Sequence, residues 1–325
     1  AKTAEHSQNL SGQYQLRTTW DAAMEGLWIP ITIAAALLQA VRTALQRQLA
    51  RELSNAAGAY ARFLYGAPLA FLYVLALREW WQIALPSPDA SFFLAVVLGG
   101  IAQVLATVML LAAVNLRSMP VGVALSKTEV VQAAIAGFIF LGDPITLMAA
   151  LGILLATLGV MGLASARMSG GVKVLVTSLG EPAAIVGIAS GAGFALSAIG
   201  FRAAALSLGH PNPVMAAGYT LAWATAIQTA IMGVWLAWRE PRALVAVARN
   251  VKASGLVGLT SVVGSACWFL AMTIQAVAYV RTLGLVELAF GYAISVGWLG
   301  ETIRRSEIAG IALVALGIAP LLLGG

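Results

Sequence analysis

Long apolar stretches separated by short polar breaks dominate the sequence from residue 27 onward. A membrane-spanning helix needs about 20 mainly apolar residues, and ten stretches are of about this length. None alternates polar and apolar residues as the strands of a membrane barrel would, and a continuous apolar segment in lipid can pair its backbone groups only as a helix. The pattern predicts an all-α integral membrane protein with ten transmembrane helices near 27–47, 57–77, 92–116, 120–141, 144–164, 183–206, 213–238, 253–275, 282–299 and 303–323.

Residues 1–26 are polar and precede the first apolar stretch. A cleavable signal peptide would place a shorter apolar core near the start, so this segment is predicted to be a mobile N-terminal tail.

Composition removes several classes of function. The chain of 325 residues is 60% hydrophobic and 10% charged, with one cysteine and two histidines. These numbers allow no disulfide framework and no zinc site, and no phosphate-binding glycine loop or nucleophile elbow is present. We therefore expect neither a cofactor nor an enzyme. The net charge of +6 is carried by loops and not by a soluble basic domain, which argues against nucleic-acid binding.

The second half of the chain repeats the first. A shift of 158 residues, which brings Leu141 onto Leu299, aligns residues 125–163 with 283–321 without a gap, and eleven of these 39 positions are identical. The matches include Glu129 with Glu287 and three pairs of glycines. Five helices per repeat is an odd number, so the second repeat must enter the membrane from the opposite side. Inverted repeats of this kind form a site at the midplane between the two halves in many secondary transporters.

The repeated motif resembles the EamA-like branch of the drug/metabolite transporter (DMT) superfamily, which consists of ten-helix carriers. In that family each repeat ends with a glutamate-bearing helix, a Leu-Gly-acid turn and a helix with spaced glycines. The segments here are Glu129 with 141–143 and Gly152/Gly159, and Glu287 with 299–301 and Gly310/Gly317. Arg62 stands where the family has an arginine early in helix 2, and the resemblance covers nearly the whole chain after residue 26.

This resemblance implies a domain organisation and a set of partners. Residues 27–164 form repeat 1 with helices 1–5, residues 165–182 a linker, and residues 183–325 repeat 2 with helices 6–10. The expected partners are a small-molecule substrate, membrane lipid and, in one version of the mechanism, protons; the expected oligomeric state is a monomer or a dimer. The expected location is the bacterial inner membrane, and the expected activity is metabolite export.

Two features of the motif favour structural roles. Gly142 suits the left-handed position that ends a helix, and Asp143 with Pro144 is predicted to begin the next helix as N-cap and first residue. The glycines spaced seven residues apart, and the small pairs Ala133/Gly137 and Gly291/Ser295, predict close helix packing, which for the small pairs would join helices 4 and 9. Family members often carry a proline after the helix-4 glutamate. This chain has Val130 and Leu288 at the two corresponding positions, so the sequence does not decide whether these helices are kinked.

Glu129 and Glu287 are predicted to lie near the middle of the membrane. Each precedes its Leu-Gly turn by twelve residues, or about 18 Å of helix at 1.5 Å per residue. A charge in lipid costs roughly 2.5–3.5 kcal/mol by insertion scales unless it is paired or hydrated. The two carboxylates can therefore bind a cationic group, carry a proton, form static ion pairs or reach towards the lipid boundary.

The predicted ion-pair partners of the glutamates are arginines on other helices, namely Arg42, Arg62 and Arg281. Lys127 is two residues from Glu129 and so points about 200° away on a helix. Its counterpart in the second repeat is Leu285. This asymmetry makes Lys127 a candidate for the residue that distinguishes the substrate.

Aromatic and amide side chains complete the candidate binding site. Trp223, Trp268 and Tyr292 lie deep in their helices and can line a cleft for an amphipathic solute, although packing is the alternative role. Other polar residues are predicted to form hydrogen bonds between helices; they include Gln39, Gln103, Ser126 and Gln132.

The charges of the loops and the family resemblance predict opposite orientations. Five basic residues, including Arg202 and Arg281, fall on the side of the termini and twelve, including Arg42, on the other side. The positive-inside rule then puts the termini outside, whereas the resemblance implies cytoplasmic termini.

Taken together, these patterns predict a secondary transporter that moves a small organic metabolite, such as an amino acid, by alternating access. The candidate substrate or proton sites are Glu129, Glu287, Lys127, Arg62, Arg281, Trp223, Trp268 and Tyr292. The alternative is a membrane scaffold or lipid-handling protein that has the same fold and does not transport.

Overall fold

A computed structural model of the chain describes residues 26–49, 53–114, 116, 119–165, 171–299 and 305–323. Residues 1–25 of the predicted tail lie outside this part. All regular structure in the described residues is helical. Ten segments, which we number α1 to α10, correspond to the ten predicted runs. They are α1 Trp28–Leu49, α2 Asn55–Glu79, α3 Ala90–Val114, α4 in two parts Met119–Ser126 (α4a) and Glu129–Leu141 (α4b), α5 Leu147–Ser165, α6 Pro182–Ser207, α7 Pro213–Arg239, α8 Val251–Ile274, α9 in two parts Val277–Leu283 (α9a) and Glu287–Leu299 (α9b), and α10 Arg305–Leu323.

The prediction of an all-α membrane fold is confirmed. Among the described residues, nine of these segments are long and apolar enough to cross a membrane, and the apolar part of α10 is a shorter helix, Glu307–Leu322. We call the end of the bundle at which α1 begins the proximal end and the end at which α1 finishes the distal end.

Two predicted boundaries are wrong. Helix α9 begins at Val277 and not near residue 282, so Arg281 lies inside the span and not in a loop. Helix α5 begins at Leu147, and the hydroxyl of Thr146 accepts the amide of Ala149 at 3.1 Å, so Asp143 is not the N-cap. The Gly142 prediction holds, because its φ of 67° is in the left-handed region.

The two repeats make equivalent contacts between helices. The larger contacts have a counterpart when every helix is replaced by the corresponding helix of the other repeat, which lies five helices away. Helix α3 packs along α6 as α1 packs along α8, and α4 contacts α6 as α9 contacts α1. Pairs that map onto themselves under this exchange, such as α5 with α10 and α2 with α7, also pack together. This is the contact pattern of a pseudo-two-fold axis that relates two five-helix repeats.

Glycines bring α5 and α10 into backbone contact, as their spacing predicts. A Cβ atom on Gly317 would lie 2.3 Å from the backbone nitrogen of Ala156, and one on Gly152 would lie 2.6 Å from the carbonyl oxygen of Gly317. Gly159 and Gly310 are equally tight against the facing helix. Since backbone atoms cannot move aside as a flexible side chain does, only glycine fits at these positions.

Replacing Gly317 by valine should therefore separate α5 from α10 and destabilise the protein by roughly 1–3 kcal/mol or more. Valine at Gly162 of α5 is the matched control, because a Cβ there meets nothing within 4 Å. Thermal unfolding of the purified variants in detergent measures the difference. Equal unfolding temperatures for the two variants would contradict this account of the interface.

The small pairs of α4 and α9 do not face each other. A Cβ on Gly137 would meet Ile199 of α6, and one on Gly291 would meet nothing within 4 Å. The expectation that these pairs join helices 4 and 9 is wrong, and α4b packs on α6 with this face.

Both α4 and α9 are interrupted immediately before their glutamates, without a proline. In α4 the hydroxyls of Ser126 and Thr128 donate to the carbonyls of Val123 and Leu125 at 2.8 and 2.6 Å, and such bonds compete with the helical pattern. In α9 a 3-10 turn, Gly284–Val286, separates the two parts. Glu129 and Glu287 thus become the first residues of α4b and α9b.

Two shorter helices lie in the connections at the distal end. The predicted linker 165–182 contains the helix Gly171–Thr177, and an amphipathic helix, Pro241–Arg249, joins α7 to α8. The second one is held to α2 by the Tyr65 hydroxyl, which donates to the carbonyl of Val247 at 3.3 Å.

The hydrophobic core is divided towards the distal end. One large cluster of buried residues fills the middle and the proximal end and includes helices of both repeats. Among the described residues, two separate clusters lie towards the distal end. One is built from α1, α2, α3, α7 and α8 and includes Leu49, Ala57 and Met232; the other is built from α4a, α6 and the linker helix and includes Val121, Leu175 and Ala184. In the part of the chain that the structure describes, the two repeats are thus packed more continuously at the proximal end.

Candidate functional site

Two ion pairs cross between the repeats at the breaks of α4 and α9. The Lys127 ammonium nitrogen lies 2.7 Å from Oε1 of Glu287, and the Arg281 guanidinium donates to Oε1 of Glu129. Each carboxylate therefore takes its cation from the other repeat. Lys127 and Glu129, which sequence spacing predicts to diverge, belong to different pairs.

The helix breaks give these charges favourable positions. Glu129 and Glu287 lie in the first turns of α4b and α9b, where the positive end of the helix dipole stabilises a carboxylate. Arg281 lies in the last turn of α9a, and Lys127 directly follows α4a, where the negative ends of the dipoles favour cations. The backbone thus lowers the cost of holding four charges near the middle of the bundle.

A second network links α1, α8 and α9 around the same site. Gln39 donates its amide to Oε2 of Glu287, and its carbonyl oxygen accepts the indole N–H of Trp268 at 3.1 Å. The Trp268 ring lies against the Arg281 guanidinium, with 5.3 Å from the guanidinium carbon to the ring centroid. Trp268 therefore contacts Arg281 of one ion pair directly and is linked to Glu287 of the other through Gln39.

The Trp268 ring occupies the space beside the break in α9. A Cβ on Gly284 would lie 2.3 Å from a ring carbon of Trp268. Since Gly284 is in the ordinary right-handed region, glycine is required here for space and not for backbone freedom.

Arg42 and Arg62 extend the cluster of cations towards the distal end. Arg42 interacts electrostatically with Glu287 and Arg281, and Arg62 with Arg42. Both side chains are half-buried, and the Nε atoms of both are fully buried without a hydrogen-bond partner among the described residues. Neither is within 4 Å of a described carboxylate, so the predicted pairing of Arg42 or Arg62 with a glutamate is wrong; Arg281 alone of the three forms the expected pair.

Comparison with known protein families finds a match for the first repeat. The model of the EamA-like transporter family matches residues 26–165, from the start of α1 to the end of α5. The first repeat is similar to the EamA-like transporter family over this range. This confirms the resemblance seen in the sequence, and the family is one of membrane transporters of the DMT type rather than of enzymes. A search of curated proteins yields no match.

A solved structure has a similar fold over most of the chain. A chain described as "Crystal structure of protein" is similar with a TM-score of 0.67 and 15% sequence identity. The similarity covers 91% of this chain and 96% of that one. At this identity the likeness concerns the fold alone.

The remaining predicted site residues are not all near the ion pairs. Trp223 contacts Phe71, Phe93 and Tyr219, with 5.2 Å between the ring centroids of Trp223 and Phe93. These rings belong to α2, α3 and α7, and Phe71 and Phe93 are exposed on the outside of the bundle. Tyr292 is half-buried on α9b, five residues after Glu287.

A third ion pair joins loops and helices at the proximal end. Arg202 of α6 binds Oδ1 of Asp143 at 3.2 Å and donates to the carbonyl of Gln275 at 2.7 Å and to that of Met272. It therefore satisfies carbonyls at the end of α8, which otherwise have no partner in the helix. Like Arg42 and Arg281, Arg202 lies inside the bundle and not in a loop, so the loop-charge comparison loses these three residues.

Two features of the site could not be read from residue types alone. Gln39 was predicted to make a hydrogen bond between helices. That its amide donates to Glu287 follows from the packing of α1 on α9. The helix breaks are signalled in the sequence only by Ser126 and Thr128 before one glutamate and by Gly284 before the other. Hydroxyl residues and single glycines are common in membrane helices, so this signal is weak.

Proposed function

We propose that this EamA-like protein is a secondary transporter that moves a small organic metabolite across the bacterial inner membrane by alternating access. The observation that carries the proposal is the pair of crossed ion pairs at two broken helices. Charged side chains are rare inside membrane proteins, and those that occur there commonly mark substrate or ion pathways. Broken helices at the repeat interface form the binding sites of many secondary transporters.

The packing of the core supports a direction for the opening. The large cluster and the Arg202–Asp143 pair join both repeats at the proximal end, whereas the two distal clusters are separate. Lys127 follows the distal segment α4a, and its side chain is 30% exposed, compared with 15% for Glu287. In the proposed cycle this conformation receives the solute from the distal side, and the opposite conformation closes that side by the pseudo-symmetric movement.

The ion pairs must exchange partners for such a cycle to run. Since each pair joins α4 to α9, a relative movement of these helices stretches both pairs together, and a solute or a proton that replaces one partner lowers the cost of the movement. A non-transporting scaffold with the same fold would keep both pairs closed at all times. Flux measurements separate these two functions.

Flux should be measured from liposomes that contain the purified protein and a defined mixture of amino acids, small carboxylic acids and amines. We expect the lumen of wild-type liposomes to lose at least one of these compounds, as measured by mass spectrometry, and Glu129→Gln and Glu287→Gln to reduce this loss at least about tenfold, the effect of roughly 1.4 kcal/mol on a barrier. Arg78→Gln is the control, since Arg78 is exposed and its ion pair among the described residues is with its neighbour Glu79.

Two results would count against the proposal. Wild-type liposomes that retain every compound as tightly as empty liposomes favour the scaffold. Undiminished flux in both glutamine variants removes the glutamates from the mechanism.

A further inference from the structure

We propose that the solute carries an anionic oxygen group, a carboxylate or a phosphate, that binds between Arg42 and Arg62 at the distal side of the ion pairs. This inference rests on the proposed transport function and specifies its substrate class. It is carried by three observations, namely the balance of charges, the unused donors and the position of the two arginines.

The charges at the centre of the bundle do not balance. The described residues of the cluster include four cations, Arg42, Arg62, Lys127 and Arg281, and two carboxylates, Glu129 and Glu287. Lys127 and Arg281 each have one carboxylate. Arg42 and Arg62 are left over, which gives the site two positive charges that no described carboxylate neutralises within 4 Å.

The unused donors have the chemistry of an anion site. A buried polar group without a hydrogen-bond partner is costly, and the Nε atoms of Arg42 and Arg62 are both in this state. The guanidinium of Arg62 lies 4.2 Å from the ring centroid of Phe63, but a ring face takes up none of the N–H donors in its plane. A carboxylate or phosphate binds a guanidinium through two parallel hydrogen bonds, which would satisfy these donors and the excess charge together.

Both carboxylates, by contrast, already bind a cation of the protein. Both oxygens of Glu287 are used, one by Lys127 and the other by Gln39. Glu129 is bound by Arg281. An amine would have to share a carboxylate with a cation of the other repeat, whereas an anion would bind guanidinium groups that form no ion pair with a described residue.

The position of the arginines suits a solute that enters from the distal side. Arg42 lies seven residues before the end of α1 and Arg62 seven residues after the start of α2, so both are about 10 Å from the distal ends of their helices. They extend from the helices of one distal cluster, and Lys127 follows the α4a helix of the other. An anion held between them would attract Lys127 and draw the two clusters together.

The first test requires no knowledge of the solute. Arg42→Met and Arg62→Met should each raise the unfolding temperature of the ligand-free protein by a few degrees, because an unpaired charge is replaced by an apolar side chain of similar length. Arg78→Met is the matched control and should change the temperature little. If both variants at the centre unfold at lower temperatures than the wild type, the arginines are structural and the proposal fails.

The second test uses simple ions as probes. Sodium benzoate, sodium succinate and sodium phosphate are added to the wild-type protein at the ionic strength of a sodium chloride control, with benzylamine hydrochloride as the cation. We expect at least one of the anions to raise the unfolding temperature, and the shift to fall by more than half in Arg42→Met and in Arg62→Met. The benzoate, succinate and phosphate arms show whether the group is a carboxylate or a phosphate.

The outcomes distinguish this inference from the proposed function. Stabilisation by benzylamine alone, by none of the probes, or equally in the wild type and both arginine variants overturns the anion site. Binding of an anion to the two arginines by a protein whose liposomes remain sealed keeps the anion site and removes transport. Flux of an amine without any anion keeps transport and removes the anion site.

Discussion

Replacing Arg281 by methionine is expected to lower the free energy of unfolding by up to about 3–5 kcal/mol, the cost of leaving one partner of a buried ion pair alone. The stranded group is the Glu129 carboxylate, whose side chain is 12% exposed. The helix dipole of α4b stabilises this charge only in part. Chemical denaturation of the purified variant in mixed micelles, compared with the wild type, measures the loss.

The double variant Arg281→Met/Glu129→Met separates structure from function. When both partners of a buried pair become apolar, stability is often recovered, so the double variant should unfold close to the wild type. Transport in the liposome assay should nevertheless be lost, because the exchangeable pair between α4 and α9 is gone. A double variant that is stable and transports at the wild-type rate would show that this pair is a static support.

Replacing Gly284 by valine is expected to abolish transport and to destabilise the protein by roughly 1–3 kcal/mol, the usual cost of overpacking. The first added carbon would lie 2.3 Å from the Trp268 ring, and the ring must turn or move. Its indole then loses Gln39, and its face loses Arg281. Both ion pairs are therefore disturbed by one substitution that changes no charge.

The matched control is Gly291→Val, seven residues further along α9, where an added Cβ meets nothing within 4 Å. Both variants place the same β-branched side chain in one transmembrane segment. Flux and unfolding temperature should be measured for the two together. If Gly284→Val transports as well as Gly291→Val, the Trp268 ring has no part in holding the site.

Part of the candidate site was predictable from the sequence. The two glutamates follow from the repeat alignment, and their place near the middle of the membrane follows from counting residues back from the Leu-Gly turns. Arg281 was among the expected partners. The pairing of Lys127 with Glu287 was not expected, because the sequence separation of 160 residues gives no sign of which helices meet, and spacing arguments apply only within one helix.

The helix breaks were the main structural feature that the sequence left open. Helix predictions rest on hydropathy averaged over about 20 residues. The polar residues 126–129 and the single glutamate in 283–287 are too few to interrupt the apolar average of their segments. The break depends instead on hydroxyls that bond their own backbone and on a neighbouring helix or ring that supports the interrupted segment. At α4 this support comes from Gly191 of α6, where a Cβ would lie 2.8 Å from the carbonyl oxygen of Ser126.

Hydropathy, helix length and internal repetition are properties of the chain taken in order, so they were enough to predict a ten-helix membrane protein of two inverted repeats with a matching glutamate in each. The crossing of the ion pairs between repeats is visible only in the tertiary structure, as is the lack of a described carboxylate within 4 Å of Arg42 or Arg62. The physical reason is that the energy of a charge inside the bundle depends on the groups that other helices bring within a few ångströms of it. Those neighbours come from parts of the chain more than 150 residues apart.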